Sequence, residues 1–252
     1  MTTVAVLVDP SPARNPLAEC VDADALSESE ARALYAAMAR DVCRAVEASG
    51  GELLVNYAPE AADGEASADD SSAAEDAARD LVTEGLSAPS DARFEVQVGS
   101  SHAARVGNTV THLLEREGVQ SAAVVEPTAA MLERRHVDSA AMKLRGSAVV
   151  LGPSSRGRVW YAAFREPIDF TDAFEPPALR TLTDRARDGG YEVDFVERLP
   201  LVERPADLAG FVAELGARQR AEKWVPPHTA AAVEDIGLGA VADDGDLRVV
   251  RD

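Results

Sequence analysis

Ser121 to Phe164 reads SAAVVEPTAAMLERRHVDSAAMKLRGSAVVLGPSSRGRVWYAAF, and the order of its apolar runs decides the fold. Val124 and Val125 close a short apolar run followed by Glu126 and Pro127, a helix-patterned segment comes next, and a second apolar run ends at Gly152 and Pro153. An aromatic strand through Trp160 and Tyr161 follows. Strand, helix and strand in succession require a crossover connection, the mark of a parallel sheet. In open α/β sheets ligands bind beyond the carboxyl ends of the strands, so Glu126, Gly152, Pro153 and Arg156 are the first residues to consider.

Outward from this stretch the same alternation repeats. Thr3 to Val8 is a nearly continuous apolar run, expected as a buried first strand, and the three prolines of DPSPARNPLAE make the next segment a loop at its carboxyl end. Ser27 and Glu30 have capping-box spacing ahead of Leu34, Tyr35, Met38, Val42 and Val46, which predicts a long amphipathic helix stopped by Gly50 and Gly51. Strands are expected at Glu52 to Tyr57, Arg93 to Val98, Ser121 to Val125, Ser147 to Leu151, Val159 to Phe164 and Tyr191 to Val196. Helices are expected over about 73–84, from Ala103 to Leu114, from about Thr128 to Met142, from Ala178 to Arg187 and after Pro205.

The predicted architecture is a mostly parallel α/β sheet with helices on both faces over residues 1–222, with 58–72 a mobile acidic insertion. Residues 223–252 form a C-terminal appendage of helix and hairpin, turning at Asp244 and Gly245. Trp160 and Tyr161 are expected to alternate between core and surface.

The charge pattern excludes several partners. With 44 acidic against 25 basic residues the chain of 252 carries a net charge of -19, which repels phosphate backbones and argues against nucleic acid. Acid enrichment with little lysine fits a salt-rich cytoplasm, where screening makes such self-repulsion tolerable. No apolar run approaches the length of a membrane helix, so a cytoplasmic protein without membrane insertion is expected. Cys20 and Cys43 lack disulfide-framework or metal spacing. There is no P-loop, GxGxxG, GxSxG or HExxH, and His102, His112, His136 and His228 are scattered and read as surface or helix-face residues.

The order of elements, together with Pro10, Ser11 and Pro12 after strand one, Gln97 with Gly99 and Arg105 opening the third helix, Pro127, Gly152-Pro153 and VERPADL from Val202 to Leu208, resembles the GT-A-fold transferases. These include sugar-nucleotide-dependent glycosyltransferases and the guanylyltransferase acting on 2-phospholactate. The resemblance runs from about Val4 to Leu215 and implies a nucleotide or sugar nucleotide bound across the strand ends, with an acceptor it does not identify. It also implies Mg2+ or Mn2+ held by Glu126 and Glu203, which would then be the catalytic carboxylates, and phosphate contacts from Pro10, Ser11, Arg14, Gln97, Gly99, Arg105, Gly152, Pro153 and Arg156.

Three departures keep a second reading open. The strand-one loop lacks its usual glycine and lysine, Val125 stands where an aspartate is expected, and SSRGR brings Arg156 and Arg158 where acid and paired glycines are usual. A catalytically inactive relative, serving as a binding or assembly module, fits these changes. Each residue also has a plain structural role: Glu126 as a carboxylate favoured by a helix dipole, Glu203 with Pro205 as a helix start, Arg156 and Arg158 as solvated or ion-paired side chains.

Overall fold

The structure is a computed structural model of the chain that describes residues 1–11, 14, 16–59 and 68–251, of which 68–71 through their backbone alone. Pro12 and the 60–67 part of the expected insertion lie outside the described residues.

The sheet is built around β1 (Thr2–Val8), every residue of which is buried. It pairs in parallel with β2 (Glu52–Tyr57) on one side and β4 (Ser121–Val125) on the other, and β3 (Arg93–Val96) adds in parallel to β2. Beyond β4 lie β6 (Val159–Phe164), β5 (Val149–Pro153) and β7 (Val193–Phe195), giving the order β3-β2-β1-β4-β6-β5-β7. Only β6 runs antiparallel to its neighbours, so the sheet is mostly parallel as the sequence predicts.

Side chains of β1 alternate between two cores. Val4, Val6 and Val8 face one shared with Leu34, Met38, Val42 and Val46 of α2 (Glu28–Glu47), the long helix after the short α1 (Ala18–Asp22). Ala5 and Leu7 face the other, shared with Val106 and Val110 of α4 (His102–Thr111) and with Leu182 of α6 (Ala178–Asp188). Each fully buried aliphatic side chain contributes about 1.5–3 kcal/mol relative to exposure. The helix α2 begins where the sequence places it, with the Ser27 side chain accepting from the Glu30 N–H and Glu30 accepting from the Ser27 N–H.

Several boundaries differ from expectation. The helix α3 (Ala68–Val82) starts earlier than 73, so 68–72 of the expected insertion are helical. The helix after β4 is not continuous from Thr128: α5 (Arg134–Lys143) starts six residues later by number, because Thr128 to Leu132 are buried throughout and offer no polar face. His136 is also buried, and its Nδ1 accepts the Glu133 N–H at 2.9 Å. Gly152 and Pro153, expected to lie just beyond the strand, are the last residues of β5, and the turn falls at Ser155–Gly157. Trp160 and Tyr161 are both buried, since β6 lies inside the sheet and has no surface face.

After α7 (Pro205–Arg220) come α8 (Pro227–Ile236) and the hairpin β8 (Leu238–Asp243) with β9 (Asp246–Arg251). Asp244 and Gly245 take the positive φ angles, 45° and 94°, that a two-residue hairpin turn requires. Asp41 of α2 fixes α8 in place, its carboxylate accepting from the His228 N–H, the Thr229 N–H and the Thr229 hydroxyl at 2.7–3.2 Å. No helix among the described residues is long and apolar enough to cross a membrane.

Candidate functional site

The helix α2, which follows β1, and the helix α4, which precedes β4, pack on opposite faces of the sheet, and a crevice opens above the ends of these two strands. A cleft of about 390 Å3 occupies it, lined by Asp9, Gln97, His102, Arg105, Glu126, Thr128 and Glu203 among others. Larger hollows exist, one of about 550 Å3 between α4 and the 170–172 segment, but none gathers charged groups from so many strand ends.

Glu126 is the first residue past β4. Its N–H donates to the Trp160 carbonyl at 3.0 Å, fixing the backbone where the strand stops, while Val125 stays in the core. The displacement by one residue therefore delivers a carboxylate to the cleft. Glu126 Oε1 lies 3.2 Å from Nε2 of His102, the first residue of α4, whose ring packs edge-on against Phe174 at 5.1 Å. Burial would lower the His102 pKa, but the charge and hydrogen bond of Glu126 outweigh it and the net shift is upward.

Glu203 approaches from the segment before α7. Burial and the charge of Glu126 both raise its carboxyl above the ordinary value, against the opposing pull of Arg158. Arg158 Nη1 donates to Glu203 Oε2 at 2.5 Å and Nη2 donates to both oxygens of Asp207 at 2.9 Å, so Arg158 is ion-paired and clamps the start of α7. Two carboxylates facing one cleft, with the charge of Glu126 helping to raise the Glu203 carboxyl, form a set of hard oxygen ligands that suits a divalent cation.

Arg105 follows His102 by one helical turn and lines the same cleft; its Nε is buried without a hydrogen-bond partner among the described residues. Gly99 sets that turn: its φ is +140°, and a Cβ there would sit 2.8 Å from the Arg105 nitrogen, so a side chain would block entry into α4. Gln97 is buried at the end of β3 and donates to the Asn56 carbonyl at 2.7 Å, joining the tips of β2 and β3.

Asp9 holds Ser11 and Arg14 of the strand-one loop. Its carboxylate accepts the Ser11 N–H at 3.1 Å and the Arg14 guanidinium at 2.6 and 3.1 Å, and Arg14 also donates to the Pro59 carbonyl at 2.6 Å. Pro10 lies between Asp9 and Ser11 in this loop, so Pro10, Ser11 and Arg14 adjoin the cleft through Asp9.

Other expected residues sit elsewhere. A Cβ on Gly152 would fall 2.4 Å from the Trp160 ring, so this glycine serves close packing, and the β5–β6 register shifts between Gly152 and Pro153. Arg156, at φ 59°, lines a separate hollow with Ala206 and hairpin residues Gly245 to Arg248. Sequence reading missed His102, Asp9, Tyr35 and Thr128. The three-residue spacing of His102 and Arg105 places both on one helix face and could have revealed the first. Tyr35 accepts the Asp9 N–H at 2.9 Å, a contact that no spacing announces.

A second cluster lies at the edge strand. Ligand atoms of Glu95, His112 and Glu117 come within 4.8 Å of one another and could hold a metal ion. Arg93 already donates to Glu117, Glu52 and Glu95 there, which gives the cluster an internal counter-charge.

No protein-family profile matches the chain, and no curated protein matches its sequence. Solved structures do. A Desulfovibrio desulfuricans G20 protein assigned as a nucleotide-diphospho-sugar transferase superposes with a TM-score of 0.70 at 16% identity, over 93% of this chain and 94% of that one. A cytidylyltransferase from Leptospira borgpetersenii superposes with a TM-score of 0.50 at 6% identity, again over 93% and 94%. The chain has the mostly parallel α/β fold of the GT-A-like nucleotidyl and sugar transferases.

Proposed function

We propose that the chain is a nucleotide-dependent transferase, moving a glycosyl or nucleotidyl group from a sugar nucleotide or nucleoside triphosphate bound in the cleft between β1 and β4. The observation that carries this reading is the convergence of Glu126, Glu203 and Arg105, distant in sequence, above the strand ends. Arg105 is the phosphate contact, with Gln97 and the Asp9–Arg14 loop bounding the nucleotide.

Glu126 and Glu203 would hold Mg2+ or Mn2+, which supplies charge neutralisation for the phosphates and the leaving group. Residues 1–222 form the transferase unit and 223–252 an appendage fastened to it through Asp41. The acid-rich, lysine-poor composition supports a salt-rich cytoplasm as the setting.

A thermal-shift panel of nucleoside triphosphates and sugar nucleotides, with and without Mn2+ in molar KCl, tests the reading. A ligand at a hundred times its dissociation constant adds about 2.7 kcal/mol, enough to raise Tm by roughly 5–10 °C. A panel without any shift rejects it.

A binding or assembly module without catalysis is the second reading, favoured by Arg14 being engaged with Asp9 and by Arg158 holding Glu203. It predicts nucleotide-independent behaviour. Metal-dependent turnover that disappears in Glu126→Ala would exclude it.

A further inference from the structure

We infer that His102 is a positioning residue for Glu126, orienting this carboxylate toward a divalent cation; this rests on the proposed transferase reading and assigns a role to a residue outside the carboxylate pair.

The geometry supports it from both sides of the contact. A carboxylate just past a strand end has two soft side-chain torsions beyond its Cβ and is not directed by the ladder that fixes its backbone. Here one oxygen, Oε1, is engaged by His102 Nε2 at 3.2 Å, which restricts the rotation and leaves Oε2 as the ligand atom. The imidazole is itself directed. Its backbone is the first residue of α4, whose N-cap Ser101 accepts the Ala104 N–H at 3.1 Å, and its ring meets Phe174 edge-on at 5.1 Å and 85°. Three elements thus set one ion-pair contact: the Ser101 cap places the ring, Phe174 turns it, and the Trp160 carbonyl anchors the Glu126 backbone.

Hydrogen bonds that hold a ligating carboxylate from behind are worth about 10–100-fold in metal affinity. Such support matters most where a flexible glutamate takes the place of a shorter side chain. Glu203 has its own support in Arg158, so each carboxylate of the pair is held by one nitrogen donor while its other oxygen remains for a ligand. The symmetry of that arrangement is what a purely structural ion pair would not require.

The test is Mn2+ binding to the full chain, followed by the loss of the free-Mn2+ EPR signal, for the wild type, Glu126→Ala, His102→Leu and His102→Gln. Leucine keeps apolar bulk against Phe174 without a donor, and glutamine restores an N–H near the position of Nε2. With 41% of the His102 side chain exposed at a helix's first turn, folding is not at stake, and far-UV circular dichroism verifies it. The expected result is that Glu126→Ala abolishes binding, His102→Leu weakens it about 10–100-fold and His102→Gln retains most of it. Wild-type affinity in His102→Leu, or equal loss in the leucine and glutamine variants, overturns the inference and leaves the transferase reading intact. A wild-type chain that leaves the Mn2+ signal unchanged overturns both the inference and the metal part of that reading, whereas nucleotide binding without metal would still support the cleft.

Discussion

Arg158 holds Glu203 with one guanidinium nitrogen at 2.5 Å while its other terminal nitrogen bridges both carboxylate oxygens of Asp207 at 2.9 Å. With only 13% of Arg158 and 9% of Asp207 exposed, the pairing is largely desolvated. It joins the β5–β6 turn to the first turn of α7 and sets where Glu203 stands in the cleft.

Removing this guanidinium leaves two carboxylates facing little water. Arg158→Met is expected to lower unfolding free energy by about 3 kcal/mol, the cost of breaking a buried pair after allowance for the part-exposed Glu203. Urea denaturation measures it, and a change within experimental error would show that the network is solvated.

Gly152 separates a packing role from a binding role. The Cβ of Gly152→Ala would meet the Trp160 ring at 2.4 Å, so the variant is expected to lose about 1–3 kcal/mol by overpacking while its remaining folded fraction keeps the nucleotide response of the wild type. Calorimetric unfolding and a nucleotide thermal shift on the same sample check both halves.

The edge cluster predicts an acid dependence. Hydrogen bonding from Arg93 lowers the Glu117 carboxyl below its ordinary value of 4.5, outweighing the burial that would raise it. A depressed carboxyl contributes stability that is present above the unfolded-state value and is lost as pH falls through the folded one. The Tm advantage of the wild type over Arg93→Ala is therefore expected to be steady near neutrality and to shrink on the acid side of 4.5. An advantage that is unchanged throughout would contradict it.

The two remaining cations differ by location. Arg105→Gln is expected to weaken the nucleotide-induced Tm shift without lowering the ligand-free Tm by more than about 0.5 kcal/mol equivalent, because its Nε makes no hydrogen bond among the described residues. Arg156→Gln, in the hollow beside the C-terminal hairpin, is expected to leave the shift unchanged. Equal responses of the two variants would mean that the nucleotide lies elsewhere.

How far the sequence carried this account follows from which residues speak locally. The buried run of β1, the Ser27–Glu30 cap and the Asp244–Gly245 hairpin are short-range features, and all three stand where the pattern puts them. Buried connections do not speak so clearly. Thr128 to Leu132 are apolar enough to pass for helix, yet they form a loop packed beneath the cleft, where tertiary burial overrides local preference. Orientation of β6 was equally hidden, since an antiparallel strand buried on both faces has the same composition as a parallel one. At the site, Glu126 was marked by its place at a strand end, whereas Glu203, Gln97 and Arg105 were named through the family resemblance, and the structure sets all four around one cleft. The His102–Glu126 contact depends on how α4 lies against the end of β4, a relation that no spacing in one sequence records.

The central claim is that nucleotide phosphates bind above the ends of β1 and β4, between Arg105 and the Glu126–Glu203 pair. A crystal structure of the chain grown with a nucleoside triphosphate and Mn2+ tests it most directly. The account predicts phosphate density within hydrogen-bonding distance of Arg105 and anomalous Mn2+ signal at the two glutamates. A nucleotide seated in another hollow, with no density between Arg105 and the glutamates, would contradict it.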